Sequence, residues 1–211
     1  MLRVYNFMAG GLIVSGLTGY AAAQSGFYQH IAGTPLIWVG MLTPLAAVFF
    51  LSFRIERMSF AAAQLTFWIY AILMGLSLSG IFLVYTDASI ARTFFIAAAT
   101  FGAMSLYGYI TGRDLTRFGS FLLMGLIGII LASLVNIFVA SAALQFAVSV
   151  IGVVLFVGLT AYDTQRIKEI YIESDENEAL SKKALIGALT LYLDFINLFV
   201  TLLQLTGERR D

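Results

Sequence analysis

The chain has 211 residues, of which 60% are hydrophobic and 11% charged, and its 12 Lys and Arg balance 12 Asp and Glu. Water-soluble domains carry about 25% charged residues, and a chain this short buries a single core too small to hide so much apolar side chain; lipid is the expected solvent. Zero net charge gives no reason to expect a nucleic-acid partner, the absence of Cys excludes disulfides, thiol catalysis and thiolate metal sites, and the one His, His30, falls in a predicted loop.

A helix needs about 20 apolar residues to cross a hydrocarbon core of about 30 Å. Seven such runs follow one another: Val4–Ala23, Leu36–Phe53, Phe60–Tyr85, Ile90–Ile110, Phe118–Ala140, Ala142–Tyr162 and Ala184–Leu205. The expected fold is an all-α membrane protein of seven transmembrane helices, one domain over residues 1–211. Its only prolines are Pro35 and Pro44, and Thr164–Lys183 is the one long, charged connection. Spans five and six, with almost no loop between them, form a tight antiparallel hairpin.

The first run also fits a signal peptide, with Arg3 ahead of it and Ala21-Ala22-Ala23 as a cleavage site. Cleavage would leave six spans; the membrane-span reading is preferred. Met1 stands at the membrane edge, which leaves open a cytoplasmic segment upstream. Orientation follows the distribution of Lys and Arg. With the N-terminus inside, the cytoplasmic side holds Arg3, Arg54, Arg57, Arg113, Arg117, Arg166, Lys168, Lys182 and Lys183, and the other side Arg92, Arg209 and Arg210. The expected protein sits in a cell membrane with its N-terminus cytoplasmic and its C-terminus outside. Gly16, Gly19, Gly75, Gly80, Gly102, Gly125, Gly128, Gly152 and Gly158 are expected to let helix backbones approach closely.

Asp194 lies ten residues into the last run, at ~1.5 Å per residue about 15 Å from its cytoplasmic end. A charge at that depth costs at least ~2.5 kcal/mol on insertion scales, so it faces protein or water. Gly187, Thr190, Asp194, Asn197, Thr201 and Gln204 recur at spacings of three and four, a single helix face, while the other faces are Leu, Ile, Phe and Val. A polar ridge on an otherwise apolar helix is expected to be enclosed, which makes the last helix central or cavity-lining.

Asp163 ends the sixth run toward the cytoplasm, and the segment 165–181 is long enough to bring the last span back beside the sixth. Asp163 and Asp194 are then able to face each other. Two adjacent carboxylates do not both ionise cheaply, so they share a proton; a neighbouring Arg, with Arg54 and Arg57 as candidates, opposes that protonation. Such a pair suits a pH-sensitive gate, and its oxygens suit a hard cation such as Ca²⁺ in passage. Other readings stand beside these. Asp163 is otherwise an interfacial charge balanced by Arg166, and Asp194 a structural hydrogen-bond partner. Arg54/Glu56 and Arg113/Asp114/Arg117 read as loop charges, Glu169, Glu173, Asp175, Glu176 and Glu178 as a solvated helix extension, and Asn136 as an interhelical hydrogen-bond donor.

Leu189-Thr190-Leu191-Tyr192-Leu193-Asp194-Phe195-Ile196-Asn197-Leu198-Phe199, followed by Leu202-Leu203, closely resembles the last-helix signature of the Bax inhibitor-1 family. Tyr162-Asp163-Thr164-Gln165 resembles the family's Tyr-Asp motif, and Arg3-Val4-Tyr5-Asn6 the start of its first span. The resemblance implies seven helices with the last one central, wrapped by three antiparallel pairs. It implies a pH-sensitive Ca²⁺ leak whose sensor and gate fall on Asp163 and Asp194, with Arg54 first and Arg57 second as the latch. A second-span acidic residue of some relatives has no counterpart in Leu36–Phe53. Eukaryotic relatives suppress cell death, a role that a bacterial-looking chain need not inherit.

No cofactor is expected; the partners expected are lipid, Ca²⁺ and other membrane proteins. An intramembrane aspartyl protease also pairs a Tyr-Asp with a second Asp, but that second Asp follows Gly-x-Gly and precedes a Pro-Ala-Leu motif. Here it follows Leu191-Tyr192-Leu193, and no Pro occurs after Pro44. A retinal pigment would need a Lys within the last span. An interaction protein that modulates other membrane proteins remains the non-channel alternative.

Overall fold

In lipid an apolar run has no water to satisfy its N–H and C=O groups, so it folds as a helix, which satisfies them internally. The computed structural model of the chain describes residues 1–26, 30, 34, 58–170 and 177–210. Among them the elements are α1 Leu2–Gln24, α2 Phe60–Leu78, α3 Ile81–Val84, α4 Asp87–Ile110, α5 Thr116–Val139, α6 Ala142–Ile170 and α7 Asn177–Thr206. Five segments are long and apolar enough to cross a membrane: Phe60–Val84, Asp87–Ile110, Thr116–Val139, Ala142–Ile170 and Ala179–Thr206. α1 has the length at 23 residues but falls outside that group; Arg3, Asn6 and Gln24 dilute its apolar content. The expected second span, Leu36–Phe53, lies outside the described residues, as do Arg54 and Arg57.

Two boundaries differ from the sequence expectation. α6 runs on to Ile170 and α7 starts at Asn177, so most of the supposed connection Thr164–Lys183 is helix. A membrane-length criterion stops where charge begins, whereas Gln, Arg, Lys, Glu and Leu are good helix formers in water. Glu169 accordingly sits exposed on the extension of α6, while residues 171–176 lie outside the description. The third span is also broken: α2 stops at Leu78, α3 adds one turn, and Tyr85 is extended at φ −110°, ψ 152°.

The chain packs as two compact units, Met1–Thr86 with Tyr171–Tyr192 and Arg209–Asp211, and Asp87–Ile170 with Leu193–Glu208. In the first, α1 lies on α2 at backbone distance. A side chain at Gly75 would strike the Ser15 carbonyl, and one at Gly19 the Gly75 carbonyl. Beside this seam Phe7, Phe60, Phe67 and Trp68 pack edge to face or tilted, with ring centroids 5.3–6.4 Å apart. In the second unit α6 is held by its neighbours along two stripes. Leu155, Gly158 and Tyr162 meet Gly125, Leu122 and Gly119 of α5, and Ala161 offers its carbonyl to Gly108 of α4. Gly152 meets Thr201 of α7.

The expected role of small residues at helix contacts holds at Gly19, Gly75, Gly125, Gly152 and Gly158. It does not hold at Gly16, Gly102 and Gly128, which meet nothing within 4 Å among the described residues; composition marks a small residue but not the face it occupies. Among the described residues α7 is the most enclosed of the five apolar helices: 67% of its apolar window is buried, against 6% to 33% for the other four.

Gly108→Ala is expected to destabilise the protein by about 1–3 kcal/mol, because the new methyl group meets backbone, which does not move aside. Gly102→Ala, with no neighbour within 4 Å among the described residues, is expected to be neutral or to stabilise by up to about 1 kcal/mol through helix propensity. Thermal unfolding of both variants in mild detergent checks the pair; equal midpoints would contradict the packing described.

Candidate functional site

The site is built on the C-terminal half of α6 and the middle of α7. At about 100° per residue, Asp163 lies roughly opposite Ala161, Thr164, Gln165 and Lys168 on α6. Those four residues all contact α4 or the loop after it. The Thr164 and Ser105 hydroxyls are 2.9 Å apart, and the Lys168 ammonium donates to the Tyr109 carbonyl at 2.9 Å. Asp163 and Arg166, three residues apart, are left to a different face.

There the carboxyl of Asp163 meets that of Asp194 within hydrogen-bonding reach, and the Arg166 guanidinium is close enough to act on Asp163 electrostatically. Asp194 is 6% exposed, Asp163 is half-buried and Arg166 is exposed. The second carboxyl oxygen of Asp194, Oδ2, is buried with no hydrogen-bond partner among the described residues. An isolated buried carboxylate is costly, and two facing acceptors make a hydrogen bond only when one of them carries a proton.

The remaining polar ridge of α7 is less enclosed than expected. Gly187 is buried with Asp194, Thr190 and Thr201 are half-buried, and Asn197 and Gln204 are exposed. Thr190, Asn197 and Thr201 each donate to the carbonyl one turn back, those of Ile186, Leu193 and Asn197, at 3.1, 2.9 and 2.7 Å. They satisfy themselves within the helix, so the ridge pattern has a local cause as well as a tertiary one. Gln204 joins a carboxamide chain: it accepts from the Gln145 amide at 3.0 Å, and Gln145 in turn accepts from Asn136 at 3.1 Å. Asn136 is thus an interhelical donor between α5 and α6.

Arg113, Asp114 and Arg117 occupy the short turn between α4 and α5 and the start of α5. Asp114 Oδ1 accepts from the Thr116 N–H at 2.8 Å. Its hydrogen bonds to Thr116, side chain first and backbone second, hold this exposed carboxyl below its ordinary range, and Arg117 adds a smaller effect in the same direction. At the other end Arg92 pairs with Glu208 at 3.1 Å, both side chains exposed, a geometry worth little in water. The latch candidates Arg54 and Arg57 lie outside the described residues. Among the described residues no group of three or more His, Cys, Asp or Glu is placed to hold a metal.

Sequence reasoning missed a buried hydroxyl network in the first unit. Ser15 Oγ lies 2.6 Å from the Tyr192 hydroxyl, 2.7 Å from the Ala71 carbonyl and 2.9 Å from the Gly11 carbonyl. A serine has one proton to give; with carbonyls as its acceptors, Tyr192 is the donor to Ser15. All three helices are joined: α7 through Tyr192, α1 through Ser15 and α2 through Ala71. The available signal was the small-residue row Gly11, Ser15, Gly19 at a spacing of four. The Tyr70 hydroxyl beside it is buried without a partner among the described residues, its ring edge-on to Tyr192 at 5.8 Å.

Five helices long and apolar enough to cross a membrane, among the described residues, define a multi-pass helical membrane protein. The family described as inhibitor of apoptosis-promoting Bax1 matches residues 1–211. The inner membrane protein YbhL of Escherichia coli (strain K12) is 49% identical over 214 residues, covering 100% of this chain and 92% of that one. An uncharacterised protein of Rickettsia prowazekii is 49% identical over 212 residues, 100% of this chain and 90% of its own. A membrane protein of Streptococcus pyogenes serotype M3 is 33% identical over 209 residues, 98% and 91% of the two chains. The chain belongs to the Bax inhibitor-1 family.

Ser15→Ala and Tyr192→Phe are each expected to cost about 0.5–1.5 kcal/mol, the net worth of a buried hydrogen bond. The double variant is expected to cost less than their sum, since both remove the same bond. A double-mutant cycle by denaturant titration in detergent reads the coupling; strict additivity would contradict the network.

Proposed function

We propose that this protein is a pH-sensitive Ca²⁺ leak of the bacterial inner membrane, gated by one proton held between Asp163 and Asp194. The observation that carries the reading is the meeting of two carboxyls at a site where Asp194 is enclosed by apolar helix. Holding one proton keeps the pair at a single negative charge, which the interior tolerates better than two. Adding or removing a proton changes that charge by one, and so changes what the helices carrying the pair prefer to pack against. Ca²⁺, a hard cation, finds oxygen ligands at the same carboxyls while passing. The pair is a transient ligand in this reading, not a resident metal centre, and it performs no covalent chemistry.

The finer architecture belongs to the same proposal. Seven spans place the last helix centrally with three antiparallel pairs around it, in keeping with the enclosure of α7. The N-terminus is cytoplasmic and the C-terminus outside, following the nine-to-three bias in Lys and Arg. Arg54, or failing it Arg57, latches the pair in one state.

Ca²⁺ uptake into proteoliposomes across pH tests the function directly. Asp194→Asn is expected to remove most of the pH dependence, and Asp163→Asn to move its midpoint. Wild-type pH dependence in the first variant would exclude Asp194 as the sensor. Cleavage of a membrane-embedded peptide without any Ca²⁺ flux would turn the pair into a protease dyad instead. Neutralising Arg54 and Arg57 one at a time is expected to alter gating in one case only; gating unchanged in both removes the latch.

A further inference from the structure

Gln165 is buried, and both polar ends of its side chain are committed. Its Oε1 accepts from the Leu115 N–H at 2.8 Å, and its Nε2 donates to the Arg113 carbonyl at 2.9 Å. A carboxamide that grips one N–H and one C=O of a loop takes the place of a backbone strand pairing with it. The loop needs this. Leu115 is the N-cap residue of α5, in helical backbone geometry, and its own side chain makes no capping hydrogen bond. The inner loop is otherwise held by local bonds only, Arg113 N–H to Thr111 Oγ1 at 3.3 Å and Thr116 N–H to Asp114 Oδ1 at 2.8 Å.

Gln165 does not act alone on α6. The same side of the helix carries the Ala161 carbonyl against Gly108, the Thr164–Ser105 hydroxyl pair and the Lys168 bond to Tyr109, whose ring also lies 5.0 Å under the ammonium. Thr164 is also tied into α6 itself by its hydrogen bond to the Thr160 carbonyl at 2.7 Å. On the neighbouring face Tyr162 packs on Gly119 of α5. Every residue from Ala161 to Gln165 except Asp163 is thereby fixed to α4, to α5 or to the loop between them.

We propose that Gln165 is the positioning residue for Asp163: by clamping the backbone at Arg113 and Leu115, it holds still the turn of α6 that presents the Asp163 carboxyl to Asp194. The inference rests on the gating role of that carboxyl pair. It adds that Asp163 is the stationary member, so that rearrangement on protonation takes place elsewhere than in the α4–loop–α6 clamp. Gln165 itself does not titrate. Among the described residues, the charged groups facing Asp163 are Asp194 from α7 and Arg166 from its own helix. Arg113, Asp114 and Arg117 around the loop, and Lys168 and Glu169 further along α6, are exposed. Tyr107 and Tyr109 are the titratable groups near the end of α4.

The test uses the full chain in liposomes. Because the chain has no Cys, spin labels attach only at introduced positions. Ile110→Cys and Glu169→Cys, both exposed, place one label on each side of the clamp. The expected result is a narrow inter-label distance that stays constant from neutral to mildly acidic pH. Gln165→Met, equal in length but unable to hydrogen-bond, is expected to broaden that distance. In the unlabelled protein it is expected to change Ca²⁺ flux at fixed pH by roughly tenfold, the effect of losing two buried hydrogen bonds, and to move the midpoint of the pH profile. Should Gln165→Met fail to fold, Thr164→Val is read in the same way, and Thr164→Ser, which keeps the hydroxyl, is expected to behave as wild type. A wild-type distance that changes with pH overturns the proposal, and so does a Gln165→Met protein with wild-type distance width and pH midpoint. Absence of Ca²⁺ flux in the wild type would sink the proposed leak, while the distance measurement would still decide whether Gln165 fixes this turn.

Discussion

A carboxyl group enclosed by apolar helices is the constraint around which this protein is arranged. Asp194 is almost wholly buried, in a helix whose neighbouring faces are Leu, Phe, Ile and Tyr. A lone anion there would cost several kcal/mol, and a single substitution by a Leu of similar size would remove the cost. The residue is therefore expensive unless its surroundings give it a partner. Among the described residues the partner within reach is another acid, Asp163, on which Arg166 acts electrostatically. An acid partnered by an acid is a poor way to gain stability and a direct way to make packing depend on a proton.

The two members of the pair sit in different mechanical settings. Asp163 rides on a turn of α6 that is bonded and packed on two sides, against α4 and its following loop and against α5. Asp194 lies in the middle of a 30-residue helix. Its near neighbours Phe195 and Phe199 contact Phe94 and Phe101 of α4 through ring edges, with centroids 5.5–6.2 Å apart. Aromatic edges slide and tilt at smaller cost than paired hydrogen bonds break, so the polar clamp and the apolar contact divide the site into a fixed side and an adaptable one. The hydroxyl chain from Tyr192 through Ser15 to Ala71 serves the first unit in the way Gln165 serves the second: it satisfies buried polar atoms where no water reaches, and in doing so sets which way a helix faces.

The class of fold and the carboxyl pair were legible in the sequence because both follow from strong, one-dimensional signals. Twenty apolar residues in a row have few alternatives, and an Asp in the middle of such a row stands out by its cost. The ends of α6 and α7 were not legible in the same way, since helix continues into water where hydropathy no longer marks it. Glycines were recognised as contact residues, but only some of them face a neighbour; Gly102 and Gly128 carry the same composition signal as Gly75 and Gly158 and touch nothing among the described residues. The polar ridge of α7 was read as a single enclosed surface, whereas Thr190, Asn197 and Thr201 bond back to their own helix. Ser15 and Gln165 stayed hidden for a simpler reason: a serine or glutamine in a span is unremarkable until the carbonyl it touches, 56 or 52 residues away in sequence, is known.

Family membership fits this reading without supplying its mechanism. The matches run over 98–100% of this chain and 90–92% of each relative. What distinguishes a gate from a buried structural contact is whether the two carboxyls titrate as one unit. Infrared difference spectroscopy of the protein in lipid nanodiscs, following the carboxyl C=O stretch through a pH titration, measures that directly. The account predicts one carboxyl signal that belongs to both residues and loses its wild-type titration when either Asp163 or Asp194 is changed to Asn. Two signals, each keeping its own titration when the other residue is replaced, would contradict it.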